Sequence, residues 1–152
     1  MADGFQPAGR AAAPAPLDLV QDFVNTEIPE WERDDLDDPT ALGAWLRGRG
    51  LVGQGGATPS RADLERAHAL RRALRLLARA NTTREPLGPR EAALVEDALS
   101  ALPVALAADA RGIVVRPLGG DLPAALAAIA ASALEARLSG SWQRLKACRK
   151  ES

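Results

Sequence analysis

Apolar and polar positions fall into blocks along this chain, and most of the blocks carry a helical period. The first block, LDLVQDFVNT from Leu17 to Thr26, interleaves apolar residues and compact polar groups more closely than any other stretch. Burial of Leu17, Leu19, Phe23 and Val24 draws Asp22, Asn25 and Thr26 toward the interior. A buried carboxylate or amide must find partners, because an unpaired one costs on the order of a few kcal/mol. The block reads in two ways: a polar knot that pins the first element to a later helix, or the floor of a pocket.

The following EIPEWERDDLDDPT is acidic, holds two prolines and is expected to be loop. Glu27, Glu30, Asp34, Asp35, Asp37 and Asp38 lack calcium-loop spacing with its required glycine, so a solvated acidic loop is expected there. Asp38-Pro39 has the form of an N-cap followed by proline in the first turn. Leu42, Trp45 and Leu46 share one face of a short helix, which Gly48 to Gly50 end. GQGGATP is a connector.

Thr58-Pro59-Ser60 opens the clearest helix, predicted from Arg61 to Ala80 with Asn81 as C-cap. Ser60 and Asp63 resemble a capping box. Leu64, Ala67, Leu70, Leu74 and Leu77 form its core stripe. Arg72, Arg75 and Arg79 share another face, which can contact phosphates or stand solvated. Arg71 or Arg72 is a candidate partner for Asp22, since a guanidinium matches a carboxylate in bidentate geometry.

A further helix is expected from Pro89 to Leu102, with Leu94, Val95, Ala98 and Leu102 facing inward. Val104 to Ala107 and Ile113 to Val115 are β-prone runs around Asp109–Gly112, predicting a two-stranded hairpin that must pack on helices to be stable. The last helix is expected over Leu122 to Leu138, with Leu126, Ile129, Ala130, Ala133, Leu134 and Leu138 buried. The fold class is therefore mainly α: a helical bundle with one short two-stranded β-hairpin.

Composition narrows the function classes. The 152 residues are 47% hydrophobic but only 3% aromatic, and alanine and leucine favour helices. A net charge of −1 advertises no general affinity for nucleic acid. One cysteine excludes an internal disulfide, and the expected setting is the reducing cytoplasm. No apolar run reaches the roughly 18 residues of a membrane span. Residues 1–16 read as a disordered Ala/Pro-rich tail, 17–140 as one helical domain, and 141–152 as a basic segment carrying Cys148. His68 is the only histidine, so neither a metal centre nor a nucleophile–His–acid set is expected around it. Ser60, Ser100, Ser132, Ser139 and Ser141 lack a nucleophile-elbow context.

Two stretches together resemble a family. LDLVQDFVNT with DDLDDPTALGAWLRGRGLV is similar to the start of the ABATE domain of bacterial CGNR-type zinc-finger proteins, described as stress-induced transcription regulators. The tail SWQRLKACRKES resembles the family's RLxxC lead-in to its finger. The resemblance implies that Cys148 matches the first zinc ligand and that zinc belongs to full-length relatives. The chain departs from the family pattern by stopping at Ser152, before the second cysteine. It is expected to be either a chain cut at the finger or a member without one. A lone thiolate cannot make a tetrahedral structural site, so no zinc or other cofactor is expected in these residues.

The function expected from the resemblance is regulatory or small-ligand-sensing, with DNA reached only through the missing finger. The candidate ligand set is Asp22, Phe23, Asn25, Thr26, Trp45, Arg71 and Arg72, with Trp45 as an apolar wall. The alternative is an interaction module that forms a homodimer without a ligand. A small hydrolase-like enzyme comes third, because no acid/base pair emerges; no catalytic residue is assigned, and no membrane partner is expected.

Overall fold

The structure is a computed structural model and describes residues 13–146. Its elements in chain order are α1 (Leu17–Val24), β1 (Glu27–Ile28), a 3-10 turn (Pro29–Trp31), β2 (Arg33–Asp34), α2 (Pro39–Gly48), α3 (Arg61–Thr83), α4 (Pro89–Ser100), β3 (Val104–Asp109), β4 (Gly112–Pro117), α5 (Asp121–Leu138) and a second 3-10 turn (Ser141–Arg144). The chain is mainly α, with two small two-stranded antiparallel sheets.

Helix α1 lies against both α3 and α5, and α2 and α4 pack on α3. The core is aliphatic. Leu17, Val20 and Phe23 of α1 meet Leu42 and Leu46 of α2, Leu64, Leu70 and Leu74 of α3, and Leu126 and Ile129 of α5. Leu36, in the segment expected to be loop, is also fully buried. Gly43 lets α2 approach the connector, since a Cβ there would lie 2.9 Å from Pro59 Cδ.

Local signals account for the helix starts. Asp38 Oδ1 accepts from the Ala41 N–H at 2.8 Å, and Pro39 occupies the first turn. At α3, the Ser60 hydroxyl accepts from the Asp63 N–H at 3.2 Å, while Asp63 accepts from the Ser60 N–H at 2.8 Å. That is a reciprocal capping box.

Three expectations change in the fold. α3 runs past Ala80 to Thr83, and Arg84 closes it in the left-handed region at φ 60°. Asn81 therefore stays helical, and its side chain is used elsewhere. The acidic stretch is an ordered corner: Glu27 pairs with Asp34 and Ile28 with Arg33 across the β1–β2 ladder. Leu94, Leu134 and Leu138 are exposed instead of buried. Val95 is the buried residue of α4, and α5 turns Ala125, Leu126, Ala127, Ile129 and Ala136 inward.

The hairpin pairs Val104 with Pro117 and Leu106 with Val115, and β4 packs on α5. The tail 1–12 and the segment 147–152, with Cys148, lie outside the described residues.

Candidate functional site

Helix α3 carries two faces. Leu64, Ala67, Leu70, Leu74 and Ala78 recur every three or four residues and are buried. Rotated from that stripe lie His68, Arg71, Arg72, Arg75, Leu76 and Arg79. These six, with Glu27 and Asp34 of the β1–β2 corner, line a cleft of about 330 Å³. Its wall is cationic because the helical period stacks four arginines on one face.

Arg71 is the fixed centre of this wall. Its residue is only 3% exposed, and its guanidinium donates to both carboxylate oxygens of Asp34, Nη1 to Oδ1 at 2.7 Å and Nη2 to Oδ2 at 2.6 Å. Nη1 also donates to the Thr26 hydroxyl at 2.9 Å, which in turn donates to the Phe23 carbonyl at 2.7 Å. Burial raises the Asp34 carboxyl. The Arg71 hydrogen bonds, the Leu36 N–H and the charges of Arg71 and His68 outweigh it, so the group sits below the ordinary aspartate value.

The neighbours are held in the same way. Arg75 Nη2 donates to the Val24 carbonyl at 2.8 Å and to the Glu27 carbonyl, while Nη1 meets the Glu27 carboxylate at 2.9 Å. Arg79 pairs with Glu91 of α4. The Gly88 N–H and Arg79 hold the Glu91 carboxyl below its ordinary range. His68 Nε2 lies 2.7 Å from the Leu36 carbonyl, which can only accept, so Nε2 carries a proton. Arg72 is exposed.

The candidate residues of the sequence divide into two groups. Arg71 and Arg72 line the cleft, and Thr26 orients Arg71. Asp22, Phe23 and Trp45 instead gather around Arg49. The Phe23 and Trp45 rings are 5.5 Å apart at 52°, and the Arg49 guanidinium lies 5.7 Å from the Trp45 centroid. Arg49 forms an ion pair with Asp22, which is buried. The anticipated pairing of Asp22 with Arg71 or Arg72 is thus corrected: Arg71 is engaged by Asp34, Thr26 and Glu27, and the end of α2 supplies Asp22 with a cation. Asn25 is half-buried, and its backbone N–H closes α1 on the Gln21 carbonyl at 3.0 Å.

Glu27 and Asp34 were expected to be solvated; the arginines of α3 bind them. The signal was available in the matching of an acidic corner to a four-arginine face, but sequence spacing does not say which loop lies over which helix. Arg49 was missed because the Gly48–Gly50 stretch reads only as a helix stop.

Among the described residues, no group of three or more His, Cys, Asp or Glu is placed to hold a metal ion. Nor is any helix among them long and apolar enough to cross a membrane. A family model, the ABATE domain, described as a putative stress-induced transcription regulator, matches residues 17–140. No curated protein and no solved structure matches the chain.

Proposed function

This chain belongs to the ABATE family of regulators, and on that premise we propose that it senses a small ligand in the α3 cleft and passes its occupancy to a C-terminal zinc finger that contacts DNA. The family is described as a putative stress-induced transcription regulator, and the reading accordingly takes the role as regulation. The compartment of the reading is the bacterial cytoplasm, where the DNA is.

One observation carries the proposal. The cleft wall and the C-terminal segment hang on the same helix. Arg79 lines the cleft, and two residues further Asn81 donates from Nδ2 to the carbonyls of Trp142, at 3.0 Å, and Leu145, at 2.8 Å. Trp142 and Leu145 are buried, so the chain leaving toward Cys148 is rooted on α3. A ligand that favours one placement of α3 biases that root, provided it binds the two placements with different affinity.

In this reading Arg71 and Arg72 contact the ligand, and Thr26 holds Arg71 in position. Asp22, Phe23 and Trp45 with Arg49 fix α1 to α2. The experiment is native mass spectrometry of the purified chain. The expected result is a defined extra mass that disappears in Arg72→Ala while the melting temperature stays unchanged.

A second reading, a dimerisation module without ligand, is favoured by the hairpin. Val104, Leu106 and Ile113 lie on its exposed side, and the last two are 79% and 81% exposed. A clean mass at dimer weight, confirmed by light scattering, would replace the first reading with this one.

A further inference from the structure

The β3–β4 hairpin has an outer edge on β3 that nothing in the described fold closes. The ladder runs from the pair Val104–Pro117 to the pair Asp109–Gly112, and the Leu118 N–H donates to the Pro103 carbonyl at 2.8 Å in the same register. Antiparallel pairs alternate between hydrogen-bonded and non-hydrogen-bonded ones. The Pro103–Leu118 bond sets the phase: Ala105, Ala107 and Asp109 bond to β4, so the N–H and C=O groups of Val104, Leu106 and Ala108 point away from it. Among the described residues, no hydrogen bond outside the ladder reaches these groups. The same three residues are exposed, whereas Ala105 and Ala107 are half-buried.

We infer that a second copy of the chain closes this edge: β3 pairs antiparallel with β3 of the copy, and the two hairpins join into one sheet in the order β4-β3-β3-β4. The inference rests on the dimer of the second reading above and is independent of the α3 cleft. Edge strands are ordinarily guarded by charge, proline or a bulge. β3 runs from Val104 to Ala108 with none of these. The opposite edge is guarded, because Pro117 has no N–H to offer there and β4 packs on α5. A two-stranded ribbon is marginal by itself, and further strands sharing an apolar face stabilise it.

The edge is self-complementary about Leu106. A two-fold axis normal to the sheet sets Leu106 opposite Leu106 of the second copy, and Val104 opposite Ala108 on either side. Each is then a hydrogen-bonded pair, and every outward N–H of one copy meets an outward carbonyl of the other. Any other register leaves at least one of the three residues unmatched. Between these pairs Ala105 meets Ala107 in the close position, where Cα atoms approach to about 4.5 Å and small side chains fit. Asp109 falls opposite Pro103, beyond the paired segment, so no carboxylate faces its own copy. The axis also keeps the side chains of the three residues from both copies on one uncharged face, Leu106 against Leu106 and Val104 beside Ala108. Another extended segment would meet the same backbone groups; this apolar match about Leu106 singles out the second copy.

The test is sedimentation velocity of the full chain from about 1 µM to about 1 mM, the span of modest affinities, with hydrogen exchange read residue by residue at both ends. A dimer is expected to form within that range. The amides of Val104, Leu106 and Ala108 should be protected in the dimer and open in the monomer, while Ala105 and Ala107 are protected in both. Leu106→Pro removes an outward donor and leaves the β4 ladder whole, since proline suits an edge position whose N–H faces out. It should weaken the dimer at least about tenfold and leave Ala105 and Ala107 protected. Ile113→Thr, on the same face but on β4, should weaken it less than about threefold. Protection of Val104, Leu106 and Ala108 in a monomer, or Ile113→Thr acting as strongly as Leu106→Pro, overturns the inference. A dimer that Leu106→Pro leaves intact removes the β3 edge and keeps dimerisation; a monomer throughout removes both. If Leu106→Pro opens the hairpin, the unsubstituted chain decides alone: a dimer whose Val104, Leu106 and Ala108 amides stay open overturns the inference.

Discussion

A guanidinium at 3% exposure has to be matched atom by atom, and Arg71 is matched by Asp34 and Thr26. Replacing Asp34 by Asn removes the charge and leaves a buried cation without its bidentate partner. The expected loss is about 2 to 3 kcal/mol in urea unfolding. Asp35→Asn is the control, because Asp35 pairs with the more exposed Arg33 and should cost less than about 1 kcal/mol. The Asp34 carboxyl lies below its ordinary value in the fold, so its contribution is complete above that value and fades as pH falls through the folded one. Wild type and Asp34→Asn should therefore differ fully at neutral pH and converge below about pH 4. A constant gap down to pH 2 would show that the pair is not the source. At this scale the sequence was half legible. That Asp22 needed a partner followed from the apolar residues around it. Which partners Asp22 and Arg71 took did not, because Asp22 and Arg49, or Arg71 and Asp34, are joined only by tertiary packing.

Helix α3 shows how local and tertiary signals divide the work between them. Its start is written in four residues, Ser60 to Asp63, and the capping box forms as the spacing implies. Ser60→Ala removes the acceptor of the Asp63 N–H and should cost about 1 kcal/mol. The same hydroxyl donates to Asp63 Oδ2 at 2.6 Å and is the main cause of that carboxyl's depressed pKa. Ser60→Ala should raise the Asp63 pKa toward the ordinary value, read by carboxyl NMR titration; an unmoved Asp63 would mean that the Ser60 hydroxyl is not its anchor. The end of α3 was not legible. Asn81 has the composition of a C-cap, yet its amide is drawn off by the carbonyls of Trp142 and Leu145, and the helix continues until Arg84 adopts a positive φ. In α5 the period is equally misleading. Two thirds of its positions are Ala or Leu, so sequence cannot choose a face, and the packing of α1 and β4 decides. Leu134 and Leu138 then point outward while Ala125, Ala127 and Ala136 take the interior, where small side chains permit close approach.

Across the whole molecule the consequence is that the last described turn is rooted by the longest helix. Trp142 and Leu145 bury their side chains in the core cluster, and Leu145 N–H donates to the Trp142 carbonyl at 3.0 Å. The Asn81 amide adds a side-chain hydrogen bond to each of the Trp142 and Leu145 carbonyls. Asn81→Ala leaves both carbonyls to find water, while the apolar contacts of Trp142 survive. The loss should therefore be local. Native-state hydrogen exchange is expected to show the Leu145 amide exchanging about 10- to 100-fold faster, equivalent to about 1.4 to 2.8 kcal/mol, with Leu70 and Leu74 in the centre of α3 slowed or quickened only by the change in global stability. Were Leu145 to keep its protection, burial of Trp142 alone would hold the segment, and α3 would have no polar grip on the chain that follows. Were the centre of α3 to lose protection equally, the turn would be part of the global folding unit, and a ligand on the Arg72 face could not move it separately from the core.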